Sequence, residues 1–265
     1  MKVLWINDIH LEFLDDRKRK LFLSRLSRSE ADCILIAGDI GQEPSVISYL
    51  EEMEAVLQRP VYFALGNHDY YYGSISSTRA SVRDLDGRVR FLRWVNDSGT
   101  ISLTPKTVLI GHDGWGDGRL GDFRSSRVEL NDFLLIKELS GLSGQERLQR
   151  IMMLGDEAAQ HFSKILPEAL RVANHVVVLT HVPPFVEASW YRGRHSEPDF
   201  LPFFTCKAAG DVLKTAMEDH PDKQMTVLCG HTHGGGQSQI LPNLVAYTGA
   251  ARYGRPVVQR IFDWN

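Results

Sequence analysis

Long apolar runs are missing from this sequence, and none approaches the roughly 18 consecutive apolar residues of a membrane-spanning helix, so no membrane partner is expected. Cysteine is scarce. Cys33, Cys206 and Cys229 are an odd number without a C-x-x-C pair, so neither a disulfide framework nor a four-cysteine zinc site is suggested. Cys33 and Cys229 lie in apolar runs and read as small buried hydrophobes. An excess of charge is lacking too: 30 Lys and Arg against 33 Asp and Glu leave a formal charge of −3, with no global attraction to nucleic acid or anionic lipid. No repeat, low-complexity tract or linker interrupts the chain, and 43% hydrophobic with 9% aromatic residues excludes a disordered polymer. The start reaches Asn7-Asp8 before a signal-peptide apolar stretch can form, so the expected compartment is the cytoplasm. A length of 265 residues allows a sizeable core, and the chain reads as one domain over 1–265.

What is present is a succession of short, β-branched apolar runs: Val3–Ile6, Cys33–Ala37, Val61–Leu65, Thr107–Ile110, Val176–Thr180 and Thr226–Cys229. Their brevity and lack of alternation predict strands covered on both faces. Helical patterns lie between them at Asp15–Arg28 and Ser45–Gln58, and Ser143-Gly144-Gln145-Glu146 is a capping box opening a long helix that Pro167 should break or kink. Alternation of this kind predicts an α/β architecture. Leu244–Thr248 and Pro256–Asp263 read as strands with no helix between them, which predicts mixed sheets. Glycine-rich Gly114–Asp122 and aromatic, Arg- and Pro-rich Glu187–Phe204 read as loops that shape a substrate site.

Each of the six runs delivers Asp, Asn or His just beyond its carboxyl end: Asp8 and His10, Asp39, Asn67-His68-Asp69, His112-Asp113, His181, and His231 and His233. In open α/β sheets ligands bind at that edge. In extended chain the i,i+2 pairs Asp8/His10 and His231/His233 project to one side, with Cα atoms about 6.6 Å apart. Two such pairs suit neighbouring metal positions. One Asp-x-His is a weak signal; six strand ends in this order are a strong one.

Asp8-Ile9-His10, Gly38-Asp39, Gly66-Asn67-His68-Asp69, His181 and Gly230-His231-Thr232-His233 resemble the five ordered blocks of calcineurin-like metallophosphoesterases. The resemblance implies a four-layer α/β/β/α sandwich with a dinuclear metal centre at the loop ends. It assigns Asp8, His10 and His233 to one metal and Asn67, His181 and His231 to the other, with Asp39 bridging and His68 as the catalytic histidine. The mixed Asp, Asn and His donors suit Mn, Fe or Zn better than a calcium-type oxygen cage. The implied reaction is hydrolysis of a phosphate ester by a hydroxide bridging the metals, with His68 as general acid toward the leaving oxygen. The expected substrate is a small molecule or nucleotide, as phosphodiester or monoester. His181-Val182-Pro183-Pro184 is similar to the cyclic-nucleotide-type phosphodiesterase branch. A nuclease-type phosphodiesterase is the alternative, with a non-catalytic protein-binding scaffold behind it.

One block departs from its relatives. Protein Ser/Thr phosphatases of the superfamily read Gly-Asp-x-x-Asp-Arg-Gly where this chain has Gly38-Asp39-Ile40-Gly41-Gln42-Glu43. That argues against a protein phosphatase and removes the Asp that would orient His68, leaving Asp69 or Asp113 as candidates. Further pocket candidates are Tyr70-Tyr71-Tyr72, Trp115, Asp117 and Arg119, and Trp190, Tyr191, Arg192, Arg194 and His195, where an arginine could clamp a second phosphate or carboxylate. For each, ordinary packing or a solvated loop is the competing reading. Arg17–Lys20 reads as a solvated helix face, and His161, His175 and His220 as ordinary.

Overall fold

The computed structural model describes residues 1–265. The first half runs β1 (Lys2–Ile6), α1 (Asp16–Ser27), β2 (Cys33–Ala37), α2 (Val46–Leu57), β3 (Val61–Ala64), α3 (Ile75–Asp86), β4 (Leu92–Trp94), β5 (Ile101–Ser102) and β6 (Thr107–His112). Then come α4 (Asp132–Leu135), α5 (Gly144–Val172), β7 (His175–Thr180), β8 (Trp190–Tyr191), β9 (Arg194–His195), α6 (Leu201–Phe204) and α7 (Lys207–Glu218). The chain closes with β10 (Gln224–Cys229), β11 (Gly236–Leu241), β12 (Leu244–Thr248) and β13 (Arg260–Asp263).

Two mixed sheets result, ordered β13-β1-β2-β3-β4 and β11-β12-β10-β7-β6-β5, plus the hairpin β8-β9. Their inner strands are parallel and the antiparallel partners β13, β11 and β5 lie at the edges. Side-chain alternation decides the layering. In β2, Cys33, Leu35 and Ala37 face a core between the sheets shared with Val177, Leu179 and Leu228. Ile34 and Ile36 face outward onto Leu23, Leu50 and Val82 of α1, α2 and α3. In β7, Val176 and Val178 pack with Phe162, Leu166 and Leu213 of α5 and α7. Both faces of the central strands are thus apolar, giving an α/β/β/α sandwich, and this is why those runs do not alternate.

The capping box at Ser143 and Glu146 is formed. The expected break at Pro167 is not: α5 continues for 29 residues through it. Phe162, Leu166, Ala169 and Leu170 bury one face on both sides of the proline, and this packing outweighs one lost backbone bond. The last strand spans only Arg260–Asp263 of the expected Pro256–Asp263. Strand β11 escaped the sequence pattern because an edge strand with one half-solvated face carries polar Gln237, Ser238 and Gln239. The 187–204 loop holds the hairpin and α6 rather than irregular chain alone.

All parallel strands of a sheet end at the same edge, so the segments after β1, β2, β3, β7, β10 and β12 converge. That convergence depends on the core between the sheets. Leu35→Ala, removing a side chain with no solvent exposure, is expected to lower unfolding free energy by about 2–5 kcal/mol in urea denaturation.

Candidate metal centre

Asp8, His10, Asp39 and His233 bring one ligand atom each within 4.8 Å of one another. His10 Nε2 lies 3.2 Å from His233 Nε2, and His233 Nε2 lies 3.5 Å from Asp8 Oδ1. Beside this group is a second one. Asn67 Oδ1 lies 3.1 Å from His181 Nε2 and 2.9 Å from His231 Nδ1, and those two ring nitrogens are 3.2 Å apart. Asp39 stands between: its Oδ2 is 3.5 Å from His10 Nε2 and its Oδ1 is 3.4 Å from His181 Nε2. All seven residues expected as ligands therefore meet in one place, in two halves.

Their backbone is not extended. Asp8, His10, Asp39, His231 and His233 all have positive φ, between 43° and 69°. The extended geometry expected for the two i,i+2 pairs is thus corrected. The strands end at Ile6 and Cys229, and left-handed turns swing the side chains into the cavity. Non-glycine residues adopt this conformation at a cost of order 1–3 kcal/mol each, met only where the surroundings over-determine it. Here Asp8 N donates to Gly38 O, His10 N to Asp39 O and His231 N to Asp8 Oδ1, at 3.0, 3.0 and 2.9 Å. Gly66 and Gly230 permit the approach: a Cβ at either would stand 2.1 Å from the Asp39 or Asp8 carboxylate oxygen.

The donor set itself calls for cations. His181 Nδ1 lies 2.8 Å from Ala37 O and His231 Nε2 lies 3.1 Å from Phe203 O. A carbonyl only accepts, so those nitrogens carry the protons. The opposite nitrogens then present lone pairs to each other and to Asn67 Oδ1, itself an acceptor because its amide donates to Asp132 Oδ1 at 2.8 Å. Three facing acceptors with no proton among them repel unless a positive ion lies between. Burial lowers both rings, His231 to about 3, so they are neutral, the form a metal ligand needs. The two carboxyls shift apart. Burial, then the charges of Asp8 and Asp69, push Asp39 well above the usual range. Burial works the same way on Asp8, but hydrogen bonding to His233 and the surrounding imidazoles outweigh it and hold that group down. Two buried carboxyl groups this close cannot both ionise cheaply without a counter-charge.

His68 lines the cavity, stacked on Tyr71 with centroids 4.2 Å apart, and its backbone N–H donates to Asp39 Oδ1 at 3.0 Å. Neither carboxylate expected to orient it does so. Asp69 accepts from the backbone N–H groups of Ile40, Gly41 and Gly66 at 2.7–2.9 Å, tying two loops together. Asp113 accepts from Leu65 N, Trp94 Nε1, Tyr70 Oη and Asn96 Nδ2 at 2.7–3.0 Å, the same loop-bracing role one layer deeper. The carboxylate that faces His68 is Glu12, with a side chain only 6% exposed: its Oε1 lies 3.2 Å from His10 Nδ1 and 4.0 Å from His68 Nδ1. Glu12 follows His10 by two residues, and that spacing is the signal the sequence offered.

Other candidates separate cleanly. Tyr71 reaches the cavity, Tyr70 is buried beneath it, and Tyr72 is solvent-exposed. Trp115 belongs to the core, and Asp117 is a buried brace that accepts from Arg119 and from Ala208 N, so the 114–122 segment supports the fold and does not line the metal cavity. His112 turns toward α5, its ring 5.1 Å from His161, away from the cluster. Tyr253, at the end of the sheet edge after β12, was not foreseen; its ring lies 4.6 Å from His10 and 5.0 Å from His233.

The family model of calcineurin-like phosphoesterases matches residues 1–235. No curated protein matches the sequence. Among solved structures, the fold is similar to phosphopantetheinyl hydrolase from Mycobacterium tuberculosis, at 13% identity and TM-score 0.70, covering 96% of this chain and 90% of that one. It is also similar to a dimetal phosphatase from Danio rerio, at 13% identity and TM-score 0.58, covering 94% and 87%.

A raised Asp39 pKa costs the metal-free chain stability as pH rises from the ordinary carboxylate range, about 4, through the raised value. In EDTA at neutral pH, Asp39→Asn is therefore expected to melt higher than wild type, with the gap closing in acid. Added manganese should reverse the order, because binding stabilises only the chain that retains the site. Thermal melts with and without metal check both signs.

Proposed function

The chain belongs to the calcineurin-like phosphoesterase family, a family of hydrolases, and from that premise we propose that it hydrolyses a phosphate ester of a small molecule or nucleotide, as diester or monoester, at a dinuclear centre. The observation that carries this reading is Asp39, whose two oxygens each face one half of the donor cluster. Asp8, His10 and His233 would hold one ion and Asn67, His181 and His231 the other, with manganese, iron or zinc as the ions this donor chemistry suits. When bound, the pair supplies Lewis acidity at the phosphoryl oxygens and an activated water.

The chain's own groups do the rest. Glu12 accepts the His10 Nδ1 proton and so turns the Nε2 lone pair inward. Asp132, accepting from both the Asn67 amide and Tyr71 Oη, holds Asn67 and the aromatic ring under His68. Burial, with His10, His181 and His233 adding to it, pulls His68 down to about 2, so its ring is neutral and carries one N–H. With Nδ1 directed at Glu12, Nε2 is the nitrogen left for substrate. An arriving phosphate opposes that shift by its negative charge, favouring a proton on the ring that hydrogen-bonds the departing oxygen. Tyr253, half exposed, forms the wall of the cavity beside His10 and His233. The three cysteines are free and buried, burial pushing each thiol up to about 12, which fits the proposed cytoplasmic setting. No helix is long and apolar enough to cross a membrane.

Manganese-loaded protein is expected to hydrolyse bis-p-nitrophenyl phosphate or p-nitrophenyl phosphate, and inactivity on both, with metal present by elemental analysis, sinks this reading. His68→Ala should lower kcat about 10²–10⁴-fold while retaining both metals. Glu12→Ala should instead weaken manganese affinity about 10–100-fold, read by competition with a chelator.

A further inference from the structure

A second cavity, of about 570 Å³, opens directly beside the metal cavity. Tyr191, Thr232 and His233 line both, so the two form one continuous surface. The remaining wall carries Arg192, Arg252 and Arg255, and no Asp or Glu lines it. None of these three guanidinium groups has an ion pair or a hydrogen bond within the protein; Arg192 only rests over the Tyr191 ring, 5.0 Å from its centroid. Arg194 on the same hairpin, by contrast, is tied to Glu197. Three unpaired positive charges on one concave wall repel one another, and a bound anion relieves that repulsion.

Two independent elements bring the arginines there. The β8-β9 hairpin is fastened to the sheet edge by Trp190 Nε1 donating to Ser238 Oγ at 3.1 Å, which sets Tyr191 at the rim and Arg192 at the hairpin tip. The turn after β12 carries Arg252 and Arg255 on either side of Tyr253, whose ring packs on His10 and His233. That contact couples the turn to the metal centre. Thr232, on the shared wall, is 1% exposed and its hydroxyl has no partner.

We propose that this groove holds a second phosphate of the substrate, so that the preferred substrate is a small molecule bearing two phosphoryl groups, one hydrolysed at the metal centre and one held by Arg192, Arg252 and Arg255. The inference rests on the phosphoesterase reading for the first group and on the arginine groove alone for the second. A guanidinium fork matches phosphate oxygens in pairs, and three exposed forks together are worth about tenfold in affinity. The small volume and the chain's net negative charge favour a small molecule over a nucleic acid backbone.

Calorimetric titration of the manganese-loaded His68→Ala protein, in which turnover is slowed, compares adenosine 3′,5′-bisphosphate with adenosine 5′-monophosphate. The expected result is about tenfold tighter binding of the bisphosphate, falling to parity when Arg192→Gln, Arg252→Gln and Arg255→Gln are added. Because the arginines sit on two separate segments, Arg192→Gln alone and Arg252→Gln/Arg255→Gln are also tested, each expected to lose part of the preference with an unchanged circular dichroism melt. Equal affinity for both probes, or a preference that survives the triple substitution, overturns the proposal. So does arginine-dependent binding of a single-stranded oligonucleotide with no bisphosphate preference. If the preference is present and arginine-dependent while wild type hydrolyses neither nitrophenyl ester, the groove stands and the phosphoesterase reading falls.

Discussion

Hydrogen-bond acceptors turned toward one another at a buried cluster set the terms for everything around them. Asp39 has both oxygens facing imidazole nitrogens, and Asn67, His181 and His231 aim three lone pairs at one point. Groups arranged like this repel each other when nothing positive lies between them. The protein maintains the arrangement by committing the outward atoms of four of these residues: Ala37 O and Phe203 O fix the His181 and His231 tautomers, Glu12 that of His10, and Asp132 the orientation of Asn67. Such a site is pre-organised for cations and unfavourable without them.

The cost is met by the surrounding fold. Five left-handed non-glycine residues sit in the loops that carry the candidate ligands. Asp69 and Asp113, both buried, gather backbone and side-chain donors from the loops after β2 and β3 and from the neighbouring strands and helix. Their roles are alike in physics: a buried carboxyl group held by several donors is a rigid node, because each lost partner leaves a buried polar group unsatisfied. Below them the core between the sheets fixes the strand ends, and with them the relative positions of Asp8, Asp39, Asn67, His181 and His231.

Part of this was legible in the chain. Apolar runs without alternation reveal strands covered on both faces, and polar residues at their ends reveal a site, because both patterns are local in sequence. Edge strand β11 was not legible, since half-solvated strands need little apolar content. Nor was the uninterrupted helix through Pro167, where tertiary packing overrides a local penalty. Which carboxylate faces His68 also lay outside the local pattern. Asp69 is next to it in sequence yet points the other way, while Glu12, more than fifty residues distant, faces it. Adjacency along a chain does not determine which way a side chain leaves a tight turn.

Read along the chain alone, the residues show which donors are available, that they fall at strand ends, and that the set resembles that of a phosphoesterase. Tertiary structure alone decided the geometry. It divided the seven candidate ligands into two halves around Asp39, turned Glu12 rather than Asp69 or Asp113 toward His68, and brought Arg192 beside Arg252 and Arg255. The reason is distance along the chain. Composition and periodicity report what a residue's near neighbours impose, whereas the hairpin and the turn after β12 meet only because parallel strands from one sheet end at a common edge.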